Sequence, residues 1–251
     1  MYKRILVLLL ALCLTLAAAP ASAAGWSDGK ATMTYLGHSV FTLERGGVSL
    51  IIDPYLAGNP QAAIAADDVN AQYILVTHAH GDHLGDTVAI AKRTGAKVIA
   101  TAEVARMLAE QGVSVIPVHI GAKKQFDFGY VRVTLAVHGS GVAGGQAAGF
   151  IVNFYGTTVY HAGDTALFGD MALLGQLERI DYALLPIGDN YTMGPADAVE
   201  AVGLLKAKAV VPMHYNTNPL IMQDPVAFKQ AVEKRFGVPV YIMKPGDARA
   251  I

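Results

Sequence analysis

The chain has 251 residues, with 19 basic and 20 acidic side chains, and only 16% of its residues are charged while 53% are hydrophobic. That length suits one large domain or two small ones with a real core, and the composition excludes a disordered chain. A near-neutral balance without any basic run argues against a surface built for nucleic acid.

Lys3 and Arg4 lead into the apolar run ILVLLLALCLTLAAA, followed by Pro20 and Ala21-Ser22-Ala23. A charged start, a short apolar stretch and a small-residue cleavage site have the form of a secretory signal peptide over residues 1–23. The expectation is cleavage near Ala23, export to the periplasm or beyond, and one domain over residues 24–251. An uncleaved anchor is the competing reading, but the run is short for a bilayer span. Cleavage removes Cys13, the single cysteine, so neither a disulfide nor a thiolate ligand is expected. No later segment is apolar and long enough to insert stably in a membrane.

Residues 31–36, 40–44 and 48–53 are β-rich runs, split by Gly37-His38-Ser39 and Arg45-Gly46-Gly47. A short apolar strand is expected from Tyr73 to Thr77. Asp86 is placed to cap a helix that closes at Gly95, and a second helix runs from Thr101 to Gln111 with Val104 and Leu108 on one face. Residues 126–138 and 150–164 alternate like hairpin strands. Residues 194–208 form a helix with Pro at its first position and Val199, Val202 and Leu205 inward. Residues 224–237 form another, with Asp224 as N-cap, Phe228, Val232 and Phe236 on one face, and Gly237 at its end. Strands, two helices, strands and two more helices predict an α/β fold of two similar halves packed sheet on sheet, with helices outside.

The segment THAHGDH, residues 77–83, ends the fourth predicted strand. In the extended backbone just after a strand, residues two apart point the same way, so His78 and His80 can meet one metal ion. Gly81 permits a bend that turns Asp82 and His83 toward a second point. Imidazole with carboxylate suits Zn, Mn, Fe or Ni. The competing reading is a polar surface turn, but three neutral imidazoles crowded after an apolar strand make a costly arrangement without a metal. Further ligands must come from elsewhere. His138, Asp164 and His214 each stand where an apolar β run stops, so strands lying side by side would bring them to one rim. Alone, each has a plainer reading as a structural histidine or a turn aspartate.

THAHGDH, His138, the GDT at 163–165 and the PMHY at 212–215 resemble the metallo-β-lactamase superfamily of dinuclear metal hydrolases. TYLGHSVF, IIDPYLAGNP, HAGDTALFGDM, LLPIGDNYTMGP and PMHYNT resemble one branch of it, the UPF0173 family. The resemblance implies a four-layer αββα sandwich with the metals at one rim of the sheets. It also implies ligands: His78, His80 and His138 for one metal, Asp82, His83 and His214 for the other, and Asp164 bridging both. Two divalent ions, zinc above all, would make a bridging hydroxide available to attack a small ester, lactone, amide or phosphodiester. Asp164 and Asp82 are the expected catalytic carboxylates.

Asp53 at the end of IIDP could accept the free N–H of a metal-bound histidine, with a strand-end turn as the alternative. His38 could reach over the metals to a substrate, and Asp189, Asn190 and Tyr191 could line the same rim. His119 and His161 are read as structural, and Met193, Met213 and Met222 as core filler. A redox enzyme using iron with oxygen or persulfide, and a non-catalytic metal-binding module, are the alternatives to hydrolysis. The expected partner is a small-molecule substrate, with no nucleic acid; a homo-oligomer is compatible with the sequence.

Overall fold

The computed structural model describes residues 29–251, so the expected leader over residues 1–23, its cleavage site and Cys13 lie outside the described residues. The first half opens with β1 (Thr32–Gly37), β2 (Val40–Arg45) and β3 (Val48–Ile52), an antiparallel meander at the three β-rich runs. From β3 the sheet continues in parallel through β4 (Tyr73–Val76), β5 (Lys97–Thr101) and β6 (Val115–Val118). Helices α1 (Gly81–Leu84), α2 (Thr87–Thr94) and α3 (Ala102–Glu110) connect these strands.

The second half starts with the antiparallel strands β7 (Lys123–Phe126), β8 (Gly129–Leu135), β9 (Ala148–Phe154) and β10 (Thr157–His161). Strands β11 (Tyr182–Pro186) and β12 (Ala209–Met213) add in parallel to β10. Helices α4 (Met171–Leu177), α5 (Pro195–Leu205) and α6 (Pro225–Phe236) accompany them, and β13 (Ala248–Ala250) returns to pair with β1. Among the described residues the sheets read β13-β1-β2-β3-β4-β5-β6 and β12-β11-β10-β9-β8-β7. Pro117 and Pro212 sit on the outermost strands β6 and β12, where a missing ladder donor is tolerated.

Burial explains the layering. Met33, Leu43, Leu50 and Leu75 of the first sheet share one core with Phe150, Val152, Val159 and Leu184 of the second. A second core joins Ile74, Val76 and Val98 to Ile90, Val104 and Leu108 of α2 and α3 on the outer face of the first sheet. Val202, Leu205, Phe228 and Val232 of α5 and α6 belong to the first core, from the second sheet's side. The result is a four-layer αββα sandwich of mixed α/β class. Truncating a fully buried leucine such as Leu43 to alanine removes about 2–5 kcal/mol of stability.

Several local expectations are corrected. The runs 126–138 and 150–164 each contain a turn, at Asp127-Phe128 and at Tyr155-Gly156, so each is split between two strands. Gly81 opens the short helix α1 rather than a free bend. Asp86 does not cap α2 with its side chain; its carboxylate instead accepts from Leu56 N at 2.8 Å and Ala57 N at 2.9 Å, tying the loop after β3 to the start of α2. Met222 is exposed rather than core filler, whereas Met193 and Met213 are buried. Asp224 does cap α6, accepting from Val226 N at 2.8 Å and Ala227 N at 3.1 Å.

Candidate metal centre

Strand direction builds the site. β3 and β4 are parallel, so the residues after both emerge at one edge: Asp53 from β3 and His78 from β4. β10, β11 and β12 are parallel, and β8 runs the same way because β9 is antiparallel to both β8 and β10. His138, Asp164 and His214, which follow β8, β10 and β12, therefore emerge together. Backbone hydrogen bonds join the two rims: Ala148 N to Thr77 O at 3.0 Å, Ala79 N to Ser140 O at 2.8 Å, and His214 N to His38 O at 2.9 Å.

The rim is also where the backbone is unusual. Of the eight non-glycine residues with positive φ among the described residues, six are His38, Asp53, Asp189, Asn190, His214 and Asn216, all in loops at this edge. Each such conformation costs on the order of 1–2 kcal/mol, so surrounding contacts must enforce it. Gly163, with φ +62°, could not carry a side chain, because a Cβ there would stand 2.7 Å from the Ala148 carbonyl oxygen. Gly188 likewise lets the His214 carbonyl pass where a Cβ would overlap it.

Seven side chains converge. His80 Nδ1 lies 3.0 Å from His78 Nε2 and 3.3 Å from His138 Nε2, so three imidazoles face one point. The Asp164 carboxylate stands between this trio and the remaining donors. Its Oδ2 is 3.6 Å from His138 Nε2 and 3.1 Å from His214 Nε2, and its Oδ1 is 3.2 Å from His83 Nε2. Asp82 Oδ2 lies 3.7 Å from His214 Nε2. Donor atoms within 4.8 Å of one another form three overlapping groups: His78, His80 and His138; His78, His83 and Asp164; and His38, Asp82, His83 and His214.

Behind these donors, buried Asp53 Oδ2 sits 2.8 Å from His83 Nδ1 and accepts the Thr77 hydroxyl at 2.7 Å, while Oδ1 accepts Thr77 N at 2.8 Å. A carboxylate on Nδ1 leaves His83 Nε2 directed at the rim's centre. His38 is 2% exposed, with Nε2 3.2 Å from Asp82 Oδ2 and Nδ1 2.7 Å from the Thr217 hydroxyl. It stands against Asp82 and does not line the cavity onto which the donors open. Thr77 and Thr217 escaped the sequence reading, because a threonine's partner is fixed only by the fold. His161 is buried between Ser39 O and Gly163 N, at 2.9 and 3.2 Å, and His119 is exposed with Nδ1 accepting from Ile120 N, so both serve structure.

Burial and neighbours divide the charges. Burial, helped by the charge of His83, pushes His78 down to about 3, and burial lowers His138 as well, so both are neutral imidazoles. Burial opposes charge on His83 too, but Asp164 and Asp53 outweigh it and hold that imidazole well above its ordinary value. Despite burial, Asp164 and Asp82 hold His214 up to about 9. The same contacts keep Asp164 and Asp82 ionised against burial, far below the usual carboxylate range.

The donors open onto a cavity of about 240 Å³ lined by His80, Asp82, His138, Asp164, Tyr191 and His214. Tyr191 thus lines the rim while Asn190, its expected neighbour in contact with substrate, does not. Two consecutive left-handed residues, Asp189 at φ 60° and Asn190 at φ 43°, turn the loop so that the tyrosine takes that place. A wider cleft of about 580 Å³, between Tyr130, Arg179, Asp181 and Lys208, contains no histidine, and its Lys208 is paired with Asp181.

Residues 49–215 match the beta-lactamase superfamily domain. A UPF0173 metal-dependent hydrolase of Symbiobacterium thermophilum is 52% identical over 216 residues, covering 85% of this chain and 96% of that protein. A second, from Desulforamulus reducens, is 51% identical over 223 residues, covering 86% and 97%. The chain belongs to the UPF0173 family of metal-dependent hydrolases. Its fold is shared with Igni18, a metallo hydrolase of the hyperthermophilic archaeon Ignicoccus hospitalis, at a TM-score of 0.83 and 39% identity over 88% of this chain and 97% of that one.

The family implies bound metal, and the residues present fit it. His83 Nε2, His214 Nε2 and Asp164 Oδ1 are buried without a hydrogen-bond partner; the approaches of His83 Nε2 to Asp164 Oδ1 at 3.2 Å and of His214 Nε2 to Asp164 Oδ2 at 3.1 Å are out of line for a bond. An unpaired buried polar atom costs about 1–3 kcal/mol, and three aimed at one small space are explained by a cation that displaces the imidazole protons and takes the lone pairs. Imidazole and carboxylate donors without sulfur suit a divalent first-row ion.

Proposed function

We propose that this UPF0173 chain hydrolyses a small ester, lactone, amide or phosphodiester, with water as nucleophile and two divalent ions, zinc first, as cofactor. The observation that carries this reading is the cavity itself: five of its six lining residues are converging imidazoles and carboxylates. His78, His80 and His138 would hold one ion, Asp82, His83 and His214 the other, and Asp164 would be shared. When bound, the ions supply Lewis acidity, polarising a substrate oxygen and acidifying water. The chain's own contribution is placement. Asp53 and Thr77 fix His83, His38 fixes Asp82, and the backbone bonds between the rims hold both sets in register. Asp164 and Asp82, held ionised by the surrounding imidazoles, bring the negative charge that would offset the two cations.

The charged leader sequence supports export of the mature chain from near Ala24, which N-terminal sequencing of protein from the native cell tests. The function is tested by a hydrolysis screen with Zn-, Mn- and Fe-loaded protein, with metal content measured alongside. Turnover of at least one substrate class that depends on metal supports the reading. Full metal occupancy without turnover on any class overturns it and leaves a binding module, and turnover only of redox substrates by the iron form points to the oxidative alternative.

A further inference from the structure

We propose that the ring of Tyr191 is the wall against which this chain seats an apolar, uncharged part of its substrate; the inference rests on the hydrolase reading of the same site. Once the other five lining residues are engaged with metal, Tyr191 is the one side chain lining the cavity, among the described residues, that is left to touch the organic part of a substrate. Tyr191 is 51% exposed, so its ring is open to an incoming ligand rather than used up in packing.

The loop that carries it is anchored to the donors themselves. Thr192 N donates to Asp189 O at 3.0 Å, and Met193 N donates to Thr165 O at 2.9 Å, with the Met193 side chain buried. Thr165 follows Asp164 directly, and its hydroxyl oxygen accepts from Val137 N at 3.0 Å, beside His138. The ring is therefore hung from the two segments that place Asp164 and His138, so its distance from the reacting atoms is set by the same bonds. The left-handed Asp189 and Asn190 are the strain that this placement requires.

The surroundings give the chemical class. No lysine or arginine lines the cavity, so nothing there selects a second anionic group on the substrate. An ester, lactone or amide with an apolar acyl or alcohol part fits a cavity whose one free wall is an aromatic ring better than a phosphodiester bearing further charge.

The test compares two non-hydrolysable probes, phenylphosphonate and methylphosphonate, by calorimetry on the metal-loaded protein. The phosphonate group is common to both; only the phenyl ring can meet Tyr191. Wild type is expected to bind the phenyl compound at least about tenfold more tightly, a preference that one aromatic contact supplies. Tyr191→Ala should abolish the preference while leaving methylphosphonate affinity, metal content and melting temperature unchanged. Tyr191→Phe should keep it, because the ring and not the hydroxyl forms the wall. A preference that survives Tyr191→Ala overturns the proposal, as does a wild type that binds both probes equally. Loss of metal or of methylphosphonate binding in Tyr191→Ala also overturns it, since the residue would then act through the donors. Fully metallated wild type that binds neither probe and hydrolyses no ester overturns the hydrolase reading instead.

Discussion

Strand β8 carries a charged cluster at each end, and the two differ in what their polar atoms have left to do. At its start, Arg132 Nε lies 2.7 Å and Lys123 Nζ 3.1 Å from Glu178 Oε1, while the Tyr130 hydroxyl donates to Glu178 Oε2. The Lys123 ammonium also stands 3.6 Å from the Tyr130 ring centroid. Past its other end, His138 joins imidazoles and carboxylates of which several atoms have no partner. The Glu178 cluster is closed: each charge meets its opposite, and the gain goes to the folded state alone. The rim is open: its atoms are held in place by strained backbone and a second layer of hydrogen bonds, and their remaining capacity is directed at a ligand. Charged clusters in one fold thus divide into those that stabilise and those that bind, and partner satisfaction tells them apart.

The largest expected effect falls on the open cluster. Asp164→Ala should lose metal from both positions and reduce hydrolysis by at least about 100-fold, no less than His80→Ala does. Asp164→Asn should keep the fold yet weaken both positions, because an amide lacks the charge that offsets two cations. Elemental analysis and circular dichroism check this. A Glu178→Ala chain with full metal content and activity completes the contrast, and metal loss in that variant would break it.

Chelation should act next most strongly. Metal binds only the folded rim, so occupancy at about 1,000 times the dissociation constant adds about 4 kcal/mol. For a domain of this size its removal should lower the melting temperature by roughly 10 °C, read by calorimetry before and after verified metal removal. An unchanged curve would mean that the rim is satisfied without metal.

Asp53→Asn sharpens the comparison within the rim, because Asp53 does not line the donors' cavity and acts through His83. The amide can present its nitrogen to Nδ1 and turn the imidazole, so metal affinity should fall about 10- to 100-fold in competition with a chromophoric chelator. Unchanged affinity would show that His83 needs no such support.

The smallest effect is at the closed cluster. Glu178→Ala strands Arg132, Lys123 and Tyr130 and should cost about 1–3 kcal/mol in urea unfolding. Burial works against the Glu178 charge, but Tyr130, Lys123 and Arg132 hold its carboxyl below the ordinary value of 4.5. A lowered folded value means that its contribution is fully present above pH 4.5 and is lost as pH falls below it. Glu178→Gln should flatten that part of the stability profile, and an identical acid slope in both proteins would contradict the account.

The two halves of the rim were not equally legible in the sequence. His78, His80, Asp82 and His83 share one loop, so their convergence follows from local backbone geometry. His138, Asp164 and His214 are far apart, and what brings them together is strand direction, visible only as polar residues ending apolar runs. The three open strands were legible from β-rich runs between glycine turns, whereas β5, β6 and β13, at three to five residues each, are too short to show a period. Asp86 has the local chemistry of a helix cap, but tertiary demand from Leu56 and Ala57 claims its carboxylate. Asp189, Asn190 and Tyr191 are equal candidates for the rim by sequence; that Tyr191 is the one lining the cavity turns on two left-handed φ angles, which residue type alone does not specify.

The most direct test of the central claim is anomalous scattering at the metal edge from crystals of metal-loaded protein. Two peaks roughly 3.5–4 Å apart are expected, the spacing of two-metal hydrolytic sites. One should lie against His78, His80 and His138, the other against Asp82, His83 and His214, with one Asp164 oxygen toward each. A single peak at full loading, or an Asp164 carboxylate turned away from both peaks, would contradict the account.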